Sequence, residues 1–352
     1  MKWTPVRLSP VEYVNQPGIL KDFHEIIESK NYQHPTILTD QTVIKATQGF
    51  VPDDFYDRYS LIIFGGNCTY EEADRVKKLV EPETDVLIAL GGGQLMDTAK
   101  NVADWLKLDI INVPTVPSNC ASIATKSMVY SADKHELVGR ERHPQAVTLV
   151  LVDPKLLRQA PQNYILSGIG DTLAKWYEIR RRLLVPEAEG ATFDIARRLI
   201  EVSKERTLAI DDLAVLDDET VFFNLLDTVF LIAASVDGFA STRGRSVAAH
   251  SFNNGYLKVN HQPTKTHGEV VAFGVLTQLA VEKEFEELGQ LIPFYKKIGL
   301  PTKLSDLDLV AETPEITTIA ADMVDKSNVR IQTVYPGLPL DEMVTAINYF
   351  RG

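Results

Sequence analysis

The stretch DVLIALGGGQLMDTAK, Asp85 to Lys100, decides how the chain is read. Its first six residues are almost wholly apolar, three glycines follow, and an amphipathic run closes it. That order predicts a buried strand passing into a helix through a glycine turn. Glycine permits a positive φ and lets another molecule approach the main chain where a Cβ would block it. At a strand-to-helix junction the turn also leaves free N–H groups at the positive end of the helix dipole, a ready anion site. Gly91, Gly92 and Gly93 are thus expected to cradle a pyrophosphate, with an unliganded tight turn as the alternative. The pattern is not the GxGxxG dinucleotide fingerprint, because Gln94-Leu95-Met96 follow Gly93, and no Lys-Ser/Thr pair closes it as a P-loop.

Outward from the glycines, short β-branched runs alternate with helical patterns. TILTD (Thr36 to Asp40), SLIIFGG (Ser60 to Gly66), DVLIAL (Asp85 to Leu90), DIINVPT (Asp109 to Thr115) and VTLVLVD (Val147 to Asp153) are continuous apolar runs, as expected of strands covered on both faces. Between them GILKDFHEIIESK and EEADRVKKLV carry helical spacing. The fold class expected is α/β, a doubly wound, mostly parallel nucleotide-binding domain over residues 1–153. Beyond Asp153-Pro154 long helical patterns take over, predicting an all-α domain over 154–352. No flexible linker joins the two, so a cleft between them is the expected ligand site.

Composition limits the function. The 352 residues are 45% hydrophobic and 24% charged, enough for two domains with real cores. With 36 basic against 48 acidic residues the formal charge is -12, which repels phosphate backbones, so no nucleic-acid partner is expected. No apolar run is expected to reach the roughly 20 residues of a membrane helix, and the first residues lack a secretion signal. A cytoplasmic, small-molecule-binding protein without a membrane partner is expected. The two cysteines, Cys68 and Cys120, are too few for a disulfide framework and suit a reducing compartment.

Asp171 is the carboxylate that asks for explanation. It lies between Ile169 and Leu173 in an apolar pattern, where an unpaired buried charge is costly, so a cation partner is favoured. His250 alone would more often be a satisfied core histidine.

GGGQLMDTAK, then INVPTVPSNCASIATKSMVY, then VLVDPKLLRQAPQNYILSGIGDTLAKWYE, then AAHSFNNG and THGEVVAFG stand in one order across nearly the whole chain. Together they resemble the glycerol dehydrogenase branch of the metal-dependent (iron-containing) alcohol dehydrogenase superfamily, and within it most resemble the hydroxycarboxylate dehydrogenase A type. The resemblance implies the dehydroquinate synthase-like fold of that superfamily, with a metal between the domains. The implied ligands are Asp171, His250 and His267, which leave a position open for substrate on one divalent ion, zinc favoured over iron(II). A homo-oligomer is expected.

The implied cofactor residues are Gly92, Gly93 and Gln94 at the pyrophosphate, and Thr115, Ser118, Lys126 and Tyr130 along the following loop. Lys126 departs from the leucine expected there and suits a phosphate, a carboxylate or solvent. Asp40, ending TILTD, is expected on the adenosine ribose, favouring NAD over NADP by repelling a 2′-phosphate; a plain turn residue is the alternative. Cys120 replaces the aspartate that receives hydroxyls in glycerol dehydrogenases, and Arg245, five residues before His250, suits a substrate carboxylate or is a surface charge. The expected activity is hydride transfer between NAD(P)(H) and a small 2-hydroxy or 2-oxo acid, with glycerol or another polyol as alternative substrate. A dehydroquinate synthase-like reaction is less favoured, for want of phosphate-binding basic residues. Asn253 stands where many relatives carry a second histidine.

Overall fold

The computed structural model describes residues 6–134 and 136–352. They form two compact units: one holds Arg7–Asp133 and Leu137–Pro161, and Gln162–Gly352 makes up nearly all of the other.

The first unit is built on a sheet of six parallel strands, β1 (Glu12–Asn15), β2 (Pro35–Thr39), β3 (Ser60–Ile63), β4 (Val86–Gly91), β5 (Asp109–Pro114) and β8 (Leu149–Val152), in the order β1-β8-β5-β4-β2-β3. The helices of this unit are α1 (Phe23–Ser29), α2 (Gln41–Ala46), α3 (Phe55–Arg58), α4 (Tyr70–Leu79), α5 (Gly93–Leu106) and α6 (Pro154–Leu157). Residues of β2, β4 and β8 are buried throughout, which is why their sequences read as unbroken apolar runs. One register row, Leu61–Ile37–Ile88–Ile111–Leu149, crosses five strands, and four of its members join a core completed by Phe23, Ile27, Val43 and Phe55.

Strand order explains where a ligand fits. From β2 the chain moves outward to β3; from β4 it moves outward the other way to β5. The adjacent carboxyl ends of β2 and β4 therefore mark the topological switch point, where open α/β sheets leave a crevice. Asp40 follows β2 and Gly92 follows β4.

Three strands escape the periodicity argument. β1 is a four-residue edge strand, half-exposed, pairing only with β8. β6 (Lys126–Tyr130) and β7 (Leu137–Arg142) form a separate antiparallel hairpin in which more and less buried positions alternate although polar and apolar residues do not. The compact units also divide later in the chain than Asp153-Pro154. Asp153 Oδ1 accepts from Gly18 N at 2.9 Å and Lys155 N at 3.0 Å, which fastens α6 to the sheet.

The second unit is helical: α7 (Gln162–Leu183), α8 (Ala191–Leu208), α9 (Glu219–Asp227), α10 (Ala233–Ala240), α11 (Ala248–Val259), α12 (His267–Val281), α13 (Phe285–Ile298) and α14 (Pro314–Val324) lead to two short C-terminal helices. A π-helical turn, Thr228–Ile232, joins α9 to α10. The helical run Glu219–Gly244 is long and apolar enough to cross a membrane by length and composition, which corrects the expectation that no such run exists. In this fold Val236 and Ala240 are buried against Ile179 and Leu183 of α7 and Ala196 and Ile200 of α8, so its apolarity serves the protein interior.

Candidate functional site

Three helices of the second unit meet at a small polar cluster. α7 carries Asp171 mid-length, α11 carries His250 in its first turn, and α12 begins at His267. Their approach depends on missing side chains. A Cβ on Gly170 would stand 2.3 Å from Gly268 O, and one on Gly268 would stand 1.9 Å from Ser167 O, so neither helix tolerates a side chain there. The neighbours of these glycines in sequence, Asp171 and His267, are drawn together by that contact. A capping box of Thr266 and Glu269 fixes the start of α12.

His250 Nε2 lies 3.2 Å and His267 Nε2 3.6 Å from Asp171 Oδ1, and one ligand atom from each residue fits within a 4.8 Å span. Donors bound at about 2.0–2.2 Å to one tetrahedral ion stand about 3.3–3.6 Å apart, so the set fits a single divalent ion. Asp171 is 3% exposed; its burial opposes ionisation, but hydrogen bonds from His250 and His267 prevail and hold the carboxyl well below the usual range.

Glu178, two turns along α7 from Asp171, stands behind His250. Its Oε2 is 2.6 Å from His250 Nδ1, while Oε1 accepts from Val247 N at 2.7 Å and His250 N at 3.1 Å. The carboxylate therefore caps α11, whose own N-cap Val247 has no side chain able to do so, and directs the ring. With Nδ1 donating to Glu178, Nε2 is the nitrogen turned toward Asp171, the one whose lone pair would serve a metal once its proton is lost. Sequence reading missed Glu178; the signal available was its seven-residue spacing from Asp171 on one helical face.

In the first unit the glycine turn takes a different form from the one expected. None of Gly91, Gly92 and Gly93 has a positive φ, and Gly92 is extended at φ −93°. Their value is close approach. A Cβ on Gly93 would meet Ala121 Cβ at 3.3 Å and the Asn119 amide at 3.4 Å, so the loop after β5 seats on the glycine. Gly92 is the N-cap of the 14-residue α5 and supplies no side-chain cap, which leaves amide donors at that helix end for a ligand. Gln94 Oε1 accepts from Cys68 N at 2.9 Å, tying down the loop after β3. Thr115 N donates to Gly91 O, and Cys120 is buried in a 3-10 turn, Cys120–Ser122. Ser118, Lys126 and Tyr130 are half-buried, the last two at the ends of β6. Asp40 is the N-cap of α2, its Oδ1 accepting from Thr42 N and Val43 N, so it serves the turn as well as standing at the switch point. Arg245 is exposed after the turn Ser241–Gly244; Asn253 is buried in α11.

Residues 10–154 match the iron-containing alcohol dehydrogenase family. A glycerol dehydrogenase of Thermotoga maritima is 30% identical over 329 residues, 90% of this chain and 89% of that protein. The chain belongs to the iron-containing alcohol dehydrogenase family. Hydroxycarboxylate dehydrogenase A of Escherichia coli is 29% identical over 88% of this chain and 87% of its own. The solved structure of a probable glycerol dehydrogenase from Sinorhizobium meliloti, 25% identical, covers 98% of this chain and 99% of that one with a TM-score of 0.83. As a member of this family the chain is a dehydrogenase acting on an alcohol group, in a family that is NAD-dependent and metal-binding.

Proposed function

We propose that the protein interconverts a small 2-hydroxy acid and its 2-oxo acid, passing a hydride between the carbinol carbon and the nicotinamide of NAD(H). The observation that carries the reading is the convergence of Asp171, His250 and His267 at spacings that suit one tetrahedral ion.

These three residues would hold the ion, zinc in preference to iron(II). When bound it supplies Lewis acidity to the substrate oxygen. Asp171, kept ionised, contributes the one negative charge of the set. Glu178 fixes the His250 proton on Nδ1, so that no reorientation of the ring is needed. At the switch point, the uncapped amides of α5 suit a pyrophosphate and the absence of a Cβ at Gly92 leaves room for it. Asp40, with Oδ1 committed to the start of α2, presents the rest of its carboxylate to ribose hydroxyls and disfavours a 2′-phosphate.

The acid substrate rests on Cys120, a weak hydrogen-bond partner where polyol enzymes use a carboxylate, and on the relative named hydroxycarboxylate dehydrogenase A. Oxidation of glycerol is the second reading, favoured by the relatives named glycerol dehydrogenase.

A panel of 2-oxo acids, 2-hydroxy acids and polyols, assayed with NAD(H) and NADP(H) after chelation and return of zinc or iron(II), tests the assignment. A higher kcat/KM for an acid with NADH is expected, together with loss of the ion and of turnover in His267→Ala. Glycerol outperforming every acid would replace the first reading by the second.

A further inference from the structure

Lys100 is 3% exposed in the interior of α5, where an ammonium persists only with its donors satisfied and a counter-charge beside it. Its Nζ donates to the carbonyls of Ala121 at 2.9 Å, Ala124 at 3.0 Å and Lys126 at 2.6 Å. Those three acceptors use its three protons. Asp97 Oδ1, one turn earlier on the same helix, stands 2.7 Å away as the counter-ion.

Asp97 extends the contact to the hairpin: its Oδ2 accepts from Met128 N at 2.9 Å and its main-chain carbonyl from Ser127 Oγ at 2.9 Å. Ser127 Oγ is in turn 2.7 Å from His143 Nε2 on the far side of the hairpin. One charged pair thus ties residues 121–128 to the helix that begins at the glycine turn. The same segment seats Ala121 on Gly93 and carries Lys126, and Cys120 and Tyr130 flank it.

We propose that Lys100 is a positioning residue: by holding three carbonyls of the loop after β5 it sets the shape of the wall over the glycine turn, and so the affinity for the nicotinamide cofactor, without touching the ligand. Three convergent carbonyls demand a compact cation with three donors at one point. Neither a neutral side chain nor the planar fork of arginine meets that demand. The inference rests on the reading of the glycine turn as the cofactor site, and the loop is therefore measured separately from the ligand.

The test uses the full-length protein as wild type, Lys100→Met, Lys100→Arg and the charge-neutral pair Asp97→Asn/Lys100→Met. Amide hydrogen exchange is followed over residues 119–128 without cofactor. Binding of NADH is titrated by fluorescence, and KM for NADH and kcat are measured on the metal-loaded enzyme. In Lys100→Met the loop amides should exchange faster and the NADH Kd and KM should rise about tenfold or more, a tenfold rise corresponding to about 1.4 kcal/mol of binding free energy. Metal content and kcat at saturating cofactor should change far less, and Lys100→Arg should fall between. If Lys100→Met does not fold, the neutral pair and Lys100→Arg carry the same expectation. Unchanged exchange over 119–128 in a folded variant overturns the clamp. Faster exchange with an unchanged NADH Kd overturns instead the placing of the cofactor against this loop.

Discussion

Glu178 Oε2 lies 2.6 Å from His250 Nδ1, and Glu178 is 1% exposed. Burial opposes its charge, but the attraction and hydrogen bonds of His250 outweigh that and keep the carboxyl below its ordinary value. A glutamine of the same length makes a sharp test. Its carbonyl can still accept from Val247 N and His250 N, while its NH2 then faces Nδ1 and favours the tautomer with the proton on Nε2, which cannot bind a metal. Glu178→Gln should therefore fold and lose about 10–100-fold in metal affinity, the usual cost of removing a ligand's orienting partner. Competition with a chromophoric chelator measures this, and unchanged affinity would show that the ring needs no orienter.

Asp40 has an observed role and a proposed one, and a substitution can separate them. Its Oδ1 caps α2 through Thr42 N and Val43 N, and its charge is expected to discriminate against a 2′-phosphate. Asp40→Asn keeps a capping oxygen and removes the charge, so thermal stability should hold while the NAD-over-NADP ratio of kcat/KM falls. Asp40→Gly should show the same fall in ratio with at most a few tenths of a kcal/mol lost, since glycine is itself a tolerated N-cap. A ratio that stays constant in both variants assigns Asp40 to the turn alone.

The sheet was readable because β2, β4, β5 and β8 are buried along nearly their whole lengths, and a strand covered on both faces leaves an unbroken apolar run. β1 was not, since Glu12 and Asn15 belong to a short edge strand whose partner β8 lies more than a hundred residues away. Lys126, Arg140 and Arg142 gave the hairpin the look of a solvated loop. Asp171 stood out as a lone carboxylate among apolar residues, whereas Glu178 lies in the mixed run KWYEIRRR and acquires meaning only from His250, 72 residues further on. Lys100 was hidden for the opposite reason: a lysine on an amphipathic helix reads as solvated, and its three acceptors lie on a loop whose path no periodicity encodes.

His143 adds a pH dependence to the stability of the first unit. Burial, with repulsion from Lys100, holds its imidazole below the ordinary value, against a weaker opposing pull from Asp104. Below about pH 6.5 the unfolded chain takes up this proton before the folded one does, and stability rises with pH wherever the unfolded state binds more protons. The neutral ring's full contribution is therefore present above about pH 6.5 and declines as pH falls from there to the lower folded value. His143→Gln, which retains a partner for Ser127, should show a flatter Tm profile between about pH 7 and pH 5 than the wild type, by differential scanning fluorimetry. Parallel profiles would remove His143 as the cause.

Substrate choice is tested at Cys120 and Arg245. Cys120 is buried in the turn over the glycines, where a carboxylate would add a negative charge to whatever it faces. An acid substrate would be repelled by that charge, and a polyol would gain an acceptor for its hydroxyls. Cys120→Asp should accordingly lower kcat/KM for 2-oxo acids by about tenfold or more, one unit of charge at short range being worth upward of a kcal/mol, and raise the ratio of glycerol to acid turnover. Arg245 is exposed, and the guanidinium of Arg182 is depressed first by burial and then by repulsion from Arg245 and Arg243, against a weaker opposing pull from Glu178. A substrate carboxylate would relieve that repulsion, and a planar fork binds it through two parallel hydrogen bonds. Arg245→Ala should then raise KM for the acid and leave KM for a neutral aldehyde or diol unchanged. If both classes of substrate respond alike, Arg245 is a surface charge and the acid is recognised elsewhere; if Cys120→Asp leaves the acid-to-glycerol ratio where it was, the cysteine does not face the substrate.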